Sequence, residues 1–593
     1  LEPAPVVAEI IAAHPPTPQQ MRKLPMLATP RPWAAMTGGG HLTTTESLVR
    51  SRQGQPLAHL TTAALQPAFQ VINTLQGQQL ELDPWMVEQQ RTAWDCSIAG
   101  LFPVRRDPVE PPPKPEELVG AEAMGRWRQA VQAAHRDRIE GRHARASIEQ
   151  SMRQAEQLAG QPIWFSWCMD FRGRLYTANR VTTHQGPDHE KAQVLAADAR
   201  PCDDAAADWI LMAAAIHWGV KGSWADRLAF GREQFERMLA AAEAPLDRLQ
   251  LWRDAKEPWQ FLACCRALHQ WIEDPSQPIR QLVRLDQTTS GPGIIAALLR
   301  DQAMARSCNM VGTTRQDLYE QIAAEVMLML RSDLETGDAR EQRLAAIWLE
   351  RGVSRAMAKL PVMSSVYGAK WLGITEQLVA LLDQSEGTVS LASLEYQRLV
   401  PCRYLSRLFG LGVGARMKGA IQLERWLRAV CRACAKRNVP MVWTTPAGLP
   451  IRLGKELSAT SKVPTLLHGG RRWRTVHDAP TPGALSARET SRSVAANVIH
   501  SFDGAMAWNV VNRAAEQGIT VLPNHDCFGV APYAASWLQA TLRKEIGELY
   551  RPDWLAEINA QMLGAATGLR WEAPPMVGTL DPERIGENPY LFS

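Results

Sequence analysis

The segment QLVRLDQTTSGPGIIAALLRD, Gln281 to Asp301, decides how this chain is read. A short apolar strand, QLVRL, delivers Asp286 to its end, TTSG makes a turn, and IIAALLRD continues with helical spacing. A carboxylate at a strand end beside a turn is rigidly held and still open to a ligand. Far downstream, ITVLPNHDCFGVA, Ile519 to Ala531, sets Asp526 between two short strands at the tip of a hairpin. Between these segments GVSRAMAKLPVMSSVYG, Gly352 to Gly368, spaces Arg355, Lys359, Met363 and Tyr367 four apart. On a helix such residues drift only about 40° per step and share one face. The order is carboxylate, basic helix, carboxylate. Two carboxylates can hold a pair of Mg²⁺ ions roughly 4 Å apart, and cations on a rigid element can grip a triphosphate, which together are the needs of nucleotidyl transfer.

Each signal has an ordinary counterpart. Arg355 and Lys359 suit any amphipathic helix, and an aspartate beside Pro523 and Asn524 suits a turn. Pro361 removes a backbone hydrogen bond, so a kink near Met357 to Pro361, or a helix starting later than Arg355, is expected. His500 and Asp503, in NVIHSFDGAMAWNVV, are expected to open a helix that runs to about Gln517 and stops at Gly518, with Asp503 favoured there by the helix dipole. Thr314 and Asp317 read as a capping box for the next helix, along which Leu318, Ile322, Val326 and Met329 recur.

Composition sets wider bounds. With 593 residues the chain divides into two to four units, and 46% hydrophobic with 21% charged residues is globular. A net charge of +4 (65 basic minus 61 acidic) means that any polyanion site comes from local clustering. Ten cysteines show no paired metal spacing, Cys431-x-x-Cys434 included, so buried free thiols are expected. No apolar run reaches the ~20 residues of a membrane span and none reads as a signal peptide, so a cytoplasmic protein without membrane contact is expected. The chain starts at Leu1, which suggests a processed or truncated product.

Residues 1–60 read as irregular, 60–100 as helical, and Pro108 to Pro115 as a linker. Glu117 to Leu158 is helical again and carries Arg126, Arg128, Arg136, Arg138, Arg142, Arg145 and Arg153, a solvated face or a track for a nucleic-acid backbone. WFSWCMDFRGRLYTANR, Trp164 to Arg180, reads as a strand or hairpin bearing Arg172 and Arg174. Residues 200–275 are mostly helical and rich in tryptophan.

The joint order of the segments is more specific than any one of them. PRPWAAMTGGG (Pro30 to Gly40), MDFRGRLY, the Asp286 segment, QDLY (Gln316 to Tyr319), GVSRAMAKLPVMSSVYG, WTTPAGLP (Trp443 to Pro450), NVIHSFDG, NHDCFG and a terminal NPYLFS together resemble the single-subunit DNA-dependent RNA polymerases of the bacteriophage and mitochondrial type. The resemblance covers about residues 25–593. It implies an α+β, mostly helical right hand with thumb, palm of antiparallel strands, and fingers. Implied boundaries are 1–60 for an N-terminal remnant, 61–155 for the thumb and connecting helices, and 156–312 for the palm with a helical insertion at about 200–275. Residues 313–499 would be the fingers, with a hairpin region at about 443–489, and 500–593 would be palm and C-terminal foot. It implies a DNA template, NTPs and an RNA product, with two Mg²⁺ ions on Asp286 and Asp526 and, through its backbone carbonyl, Gln287. Arg355 and Lys359 would hold the triphosphate, Tyr367 with His500 would sense the ribose 2′-hydroxyl, and Gly368 would admit the template base. Arg172 and Arg174 would position template and nascent strand, while Tyr319 and Met363 line the nucleotide path.

The chain departs from the family pattern in several places. Gln287 replaces a usual glycine, Leu360 and Pro361 replace a basic and a small residue, and Ala229 stands where relatives carry a phosphate-contacting lysine. Only about 170 residues precede MDFRGR, so most of the family's promoter-reading N-terminal domain is expected to be missing, its work falling to an accessory protein. The hairpin region keeps its length and carries RRWR at Arg471 to Arg474. Competing readings are a related single-hand DNA polymerase, a primase-like RNA polymerase, and a non-catalytic nucleic-acid-binding module. Cys527 stands where such DNA polymerases carry a second carboxylate, and a mere binding module has no use for Asp286, Lys359, Tyr367 and Asp526 together.

Overall fold

The computed structural model describes residues 24–43, 46–50, 57–114, 121–179, 182–368, 371–385, 395–467 and 471–593. Side chains of 459–480 lie outside the description, and with them those of the RRWR patch; so does the side chain of Arg126. The described residues are mostly helical, with small and mainly antiparallel sheets.

A 38-residue helix, α1 (Ala121–Leu158), leads to strands β1 (Trp167–Asp170) and β2 (Leu175–Thr177), an antiparallel hairpin, as its alternating pattern requires. Helices α2 (Asp204–Trp218), α3 (Trp224–Glu233) and α4 (Pro258–Glu273) follow. Trp252 and Trp259 are fully buried there, ring centroids 5.2 Å apart, so these two tryptophans build core and not surface. Strand β3 (Val283–Asp286) then turns through Thr289, whose φ of 54° is left-handed, into α5 (Ser290–Leu298). Every residue of α5 is buried, which explains its nearly unbroken apolar sequence.

Helices α6 (Leu318–Thr336), α7 (Ala339–Arg351) and α8 (Arg355–Val366) come next. The cap of α6 is Asp317 itself, whose carboxylate accepts the N–H groups of Tyr319 and Glu320, so the expected box led by Thr314 is corrected. Helix α8 starts at Arg355, with Ser354 accepting the Met357 N–H, and runs through Pro361; the later start allowed for above does not occur. Helices α9 (Glu395–Arg416) and α10 (Lys418–Ala435) precede strands β4 (Met441–Thr444) and β5 (Pro450–Leu453). Cys431 and Cys434 are both buried in α10. Strands β6 (Glu456–Leu467) and β7 (Arg471–Leu485) form a long antiparallel hairpin.

The last large helix, α11 (Ala487–Glu516), is 30 residues long. His500 and Asp503 therefore lie in its middle, and the expectation that they open a helix is wrong: most residues from Val494 to Val511 are buried, with His500 half-buried among them. Gly518, with φ 63°, does mark its end. Strands β8 (Leu522–Asn524) and β9 (Cys527–Val530) make a hairpin with His525 and Asp526 as its two-residue tip, and α12 (Ala535–Leu549) follows. The central sheet has the order β8-β9-β3, with β9 antiparallel to β3 and Cys527 opposite Asp286. Folding thus brings the two aspartate segments onto neighbouring strands. Among the described residues no helix is long and apolar enough to cross a membrane.

Candidate active site

The register of the central sheet fixes the two carboxylates. The Gln287 N–H donates to the Asp526 carbonyl at 2.9 Å, locking the hairpin tip to the end of β3, and the Ser593 N–H donates to the Asp286 carbonyl at 3.0 Å. Asp286 is exposed, yet the protein crowded around it strips its carboxylate of bulk hydration; this and the negative charge of Asp526 raise its pKa, against the pull of Lys359 and Lys191. Asp526 is raised too, mainly by burial, while Arg174, the Ser290 hydroxyl and Lys359 oppose the shift. Two neighbouring carboxylates, both with raised pKa and one raised by the charge of the other, form a site that favours an added cation. Lys359 is exposed on α8, facing the same pair.

The second group forms where the β1–β2 turn meets α11. Arg172 pairs with Asp170 at 2.5 Å, and its Nη1 donates to His500 Nδ1 at 2.6 Å. Arg174 Nε donates to the buried carboxylate of Asp503 at 2.6 Å. Gly504 permits the close approach of turn and helix: a Cβ there would lie 2.9 Å from the Gly173 carbonyl carbon. Trp508 secures it through a 2.7 Å bond from Nε1 to the Gly173 carbonyl. Because a guanidinium only donates, His500 Nδ1 must accept, and the ring proton sits on Nε2. Burial and the charges of Arg174 and Arg172 depress the His500 pKa to about 2, so the imidazole is neutral at working pH. Its centroid lies 5.1 Å from the Tyr367 ring. The Tyr367 hydroxyl reaches the first turn of α5, 3.0 Å from where a Cβ of Gly291 would be.

At the other end of α8, Arg355 pairs with Asp317 at 2.6 Å and stacks over the Tyr319 ring at 5.0 Å, and the Tyr319 hydroxyl contacts the Met363 sulfur at 3.3 Å. Gly368 has φ 80°, and the space beside it is filled by Arg428 and Glu424. Gln287 is buried, with its Nε2 lacking a partner; its backbone is placed by Asp526 and by a bridge to Phe592. Tyr319, Arg355 and Met363 thus meet along α8, while Arg172, Arg174, His500 and Tyr367 gather where the β1–β2 turn reaches α11.

Sequence reasoning missed three features. Asp503, expected to serve a helix dipole, anchors Arg174 instead. Lys191 adds a cation behind Asp286. A further cluster of cations gathers beside Arg355. The crowded ammonium of Lys221, poorly hydrated and in the fields of Lys256, Arg355, Arg227 and Arg315, has its pKa lowered to about 8. Arg227 is 4% exposed, with Nε and Nη1 buried and unpartnered, and its pKa falls to about 10 through burial and Arg315. Ala229, two residues on, is exposed. No local spacing signals this cluster, because its members come from the α2–α3 connection, α3, the loop before α4, the loop before α6 and the start of α8.

The family model for DNA-dependent RNA polymerase matches residues 200–571, and the DNA-directed RNA polymerase N-terminal model matches residues 1–77. The chain is similar to the mitochondrial DNA-directed RNA polymerase 1B of Nicotiana tabacum, 25% identical over 96% of this chain and 57% of that protein. T7 RNA polymerase of Escherichia phage T7 is 26% identical, over 96% and 70%, and the human mitochondrial DNA-directed RNA polymerase 26%, over 100% and 50%. The chain thus spans only about half the length of its plant and human relatives. A solved structure, the POL domain of Pol1 from M. smegmatis in complex with DNA primer-template and dNTP, superposes with a TM-score of 0.39 at 13% identity over 83% of this chain and 68% of that one. A match over most of the chain, covering both aspartate segments and the whole of α8, places this protein in the family of single-subunit, phage-type DNA-dependent RNA polymerases.

Proposed function

We propose that this chain synthesises RNA from NTPs on a DNA template. The observation that carries the reading is the pairing of Asp286 with the Asp526 hairpin tip opposite a helix bearing Arg355, Lys359 and Tyr367. Two adjacent carboxylates fit a Mg²⁺ pair. Among the described residues no group of three or more His, Cys, Asp or Glu is gathered for a metal, which suits Mg²⁺, an ion commonly held by one or two carboxylates plus substrate phosphates. Bound there, two such ions supply activation of the 3′-hydroxyl and charge neutralisation of the departing pyrophosphate. The Gln287 carbonyl, set by the bond between its N–H and Asp526, is a further candidate ligand.

The protein's own groups then bind and orient. Lys359 faces the carboxylate pair from α8 and meets the α-phosphate end of the triphosphate. Lys221, Arg227 and Arg315, with Arg355, meet its outer phosphates, offsetting the loss of a cation at Leu360. An unpartnered buried guanidinium is costly until an anion arrives. Tyr367 and the Nε2–H of His500 approach the ribose, and a deoxy substrate would leave that donor unpaired. Arg172 and Arg174, clamped by Asp170, Asp503 and His500, are rigid enough to position template and nascent strand.

On this reading β3, β8 and β9 are the palm, α6 to α10 the fingers and α1 the thumb. Incorporation of NTPs and dNTPs on a primed DNA template with Mg²⁺ tests the proposal. Preference for NTPs supports it, preference for dNTPs points to a DNA polymerase, and incorporation of neither to a binding module.

A further inference from the structure

The turn after Tyr367 is held from outside its own helix. Arg428 projects from α10, where its Nε pairs with Glu424 one turn earlier and its Nη2 donates to the Gly368 carbonyl at 2.9 Å. Both side chains are withdrawn from solvent, 16% and 19% exposed, so the pair is poorly screened. Gly368 has a left-handed backbone, and a Cβ there would overlap the Arg428 guanidinium and the Glu424 carboxylate. The glycine therefore leaves room that this ion pair fills. Helix α10 is itself well fixed, by Trp426 Nε1 to the Glu572 carbonyl at 3.0 Å and Arg432 Nε to Ser491 Oγ at 3.3 Å on α11.

Tyr367 is the last residue before this turn, and the two neighbours that define its pose, the His500 ring and the first turn of α5, both lie outside α8. A shift of the Gly368 carbonyl moves the phenol relative to both. From this geometry we infer that Arg428, held in place by Glu424, is a positioning residue for Tyr367 and so sets the enzyme's choice between ribose and deoxyribose without touching the sugar. The inference rests on the reading of Tyr367 as the sugar-sensing residue. Arginine is required because one planar fork serves the carboxylate through Nε and the carbonyl through Nη2; the point charge of lysine cannot hold both directions at once.

The test compares single-nucleotide incorporation of NTP and matching dNTP by the full chain and by Arg428→Ala, Arg428→Lys and Tyr367→Phe, with kcat and KM measured separately. The ratio of the two kcat/KM values is insensitive to the fraction of active enzyme, so it separates misplacement of Tyr367 from loss of fold. Arg428→Ala is expected to lower the NTP preference about tenfold, the effect of removing one charge-assisted hydrogen bond. Arg428→Lys should lower it by less, and if Arg428→Ala does not fold, Arg428→Lys carries the test. A relaxed ratio in Tyr367→Phe with an unchanged ratio in both Arg428 variants overturns the positioning role alone. An unchanged ratio in Tyr367→Phe overturns the sugar-sensing reading and this inference with it. Full selectivity in Arg428→Lys shows that charge suffices and overturns the two-bond geometry.

Discussion

Asp286 and Asp526 are neighbours only because β9 pairs with β3, and their mutual repulsion is the price of that placement. Removing one charge should relieve it. Asp286→Asn and Asp526→Asn are each expected to reduce NTP incorporation by about a hundredfold or more while leaving the melting temperature unchanged or raised. Activity above a tenth of wild type in either variant would remove that residue from the metal site. The same repulsion makes metal binding depend on pH. Burial and Asp526 raise the Asp286 pKa above its ordinary 3.8, so the metal-free fold keeps a proton there that the unfolded chain has released, and its stability falls as pH rises through that window. Mg²⁺ binds the deprotonated form, so its gain in melting temperature should be larger at about pH 8 than at about pH 5.5. The difference should shrink in Asp286→Asn. A gain independent of pH in the wild-type chain would mean that the two carboxylates do not share the ion.

Among the elements, strands β3 and β9 and helix α8 are legible in the sequence, because their signals are local: an apolar run ended by a turn, a two-residue hairpin tip, and cations four apart. Strand β8 falls at Leu522–Asn524, at and beyond the end of the apolar run Ile519 to Leu522 expected to form it. Helix α11 is not legible, because its middle is buried nearly all round and has no polar face to mark its phase, and His500 and Asp503 look like an N-terminus. Their actual use depends on Arg172 and Arg174, more than 300 residues away in sequence. The cations beside Arg355 are illegible for a similar reason, since five separate segments contribute them. They carry a prediction of their own. Arg227→Gln and Arg315→Gln should each raise the KM for NTP about tenfold, the cost of one charge-assisted bond to phosphate, with a smaller change in kcat. Because Arg227 is buried without a full set of partners, Arg227→Gln should also raise the melting temperature of the substrate-free protein. Unchanged KM in both variants would confine triphosphate binding to α8.

For the molecule as a whole, a net charge of +4 gives little long-range attraction for nucleic acid, so template binding must come from local clusters of cations, most effectively those left free of carboxylates. Helix α1 shows which these are. Arg145 pairs with Asp137 at 2.5 Å and Arg153 with Glu149 at 2.9 Å, so part of the basic run seen in the sequence is structural. Arg128, Arg136, Arg138 and Arg142 are exposed. If α1 is the thumb, these four lie along the duplex backbone, and each phosphate they neutralise releases counterions. Replacing Arg138 and Arg142 by alanine should then flatten the slope of log affinity against log salt by roughly 0.9 for each phosphate no longer neutralised, measured by titrating a labelled primed template across a range of salt. Single-nucleotide kcat on saturating template should be unchanged, because neither residue approaches the carboxylates. An unaltered slope would identify the exposed arginines of α1 as a solvated face, and the template's electrostatic grip would then have to reside inside the cleft, on Arg172, Arg174 and the cations of α8.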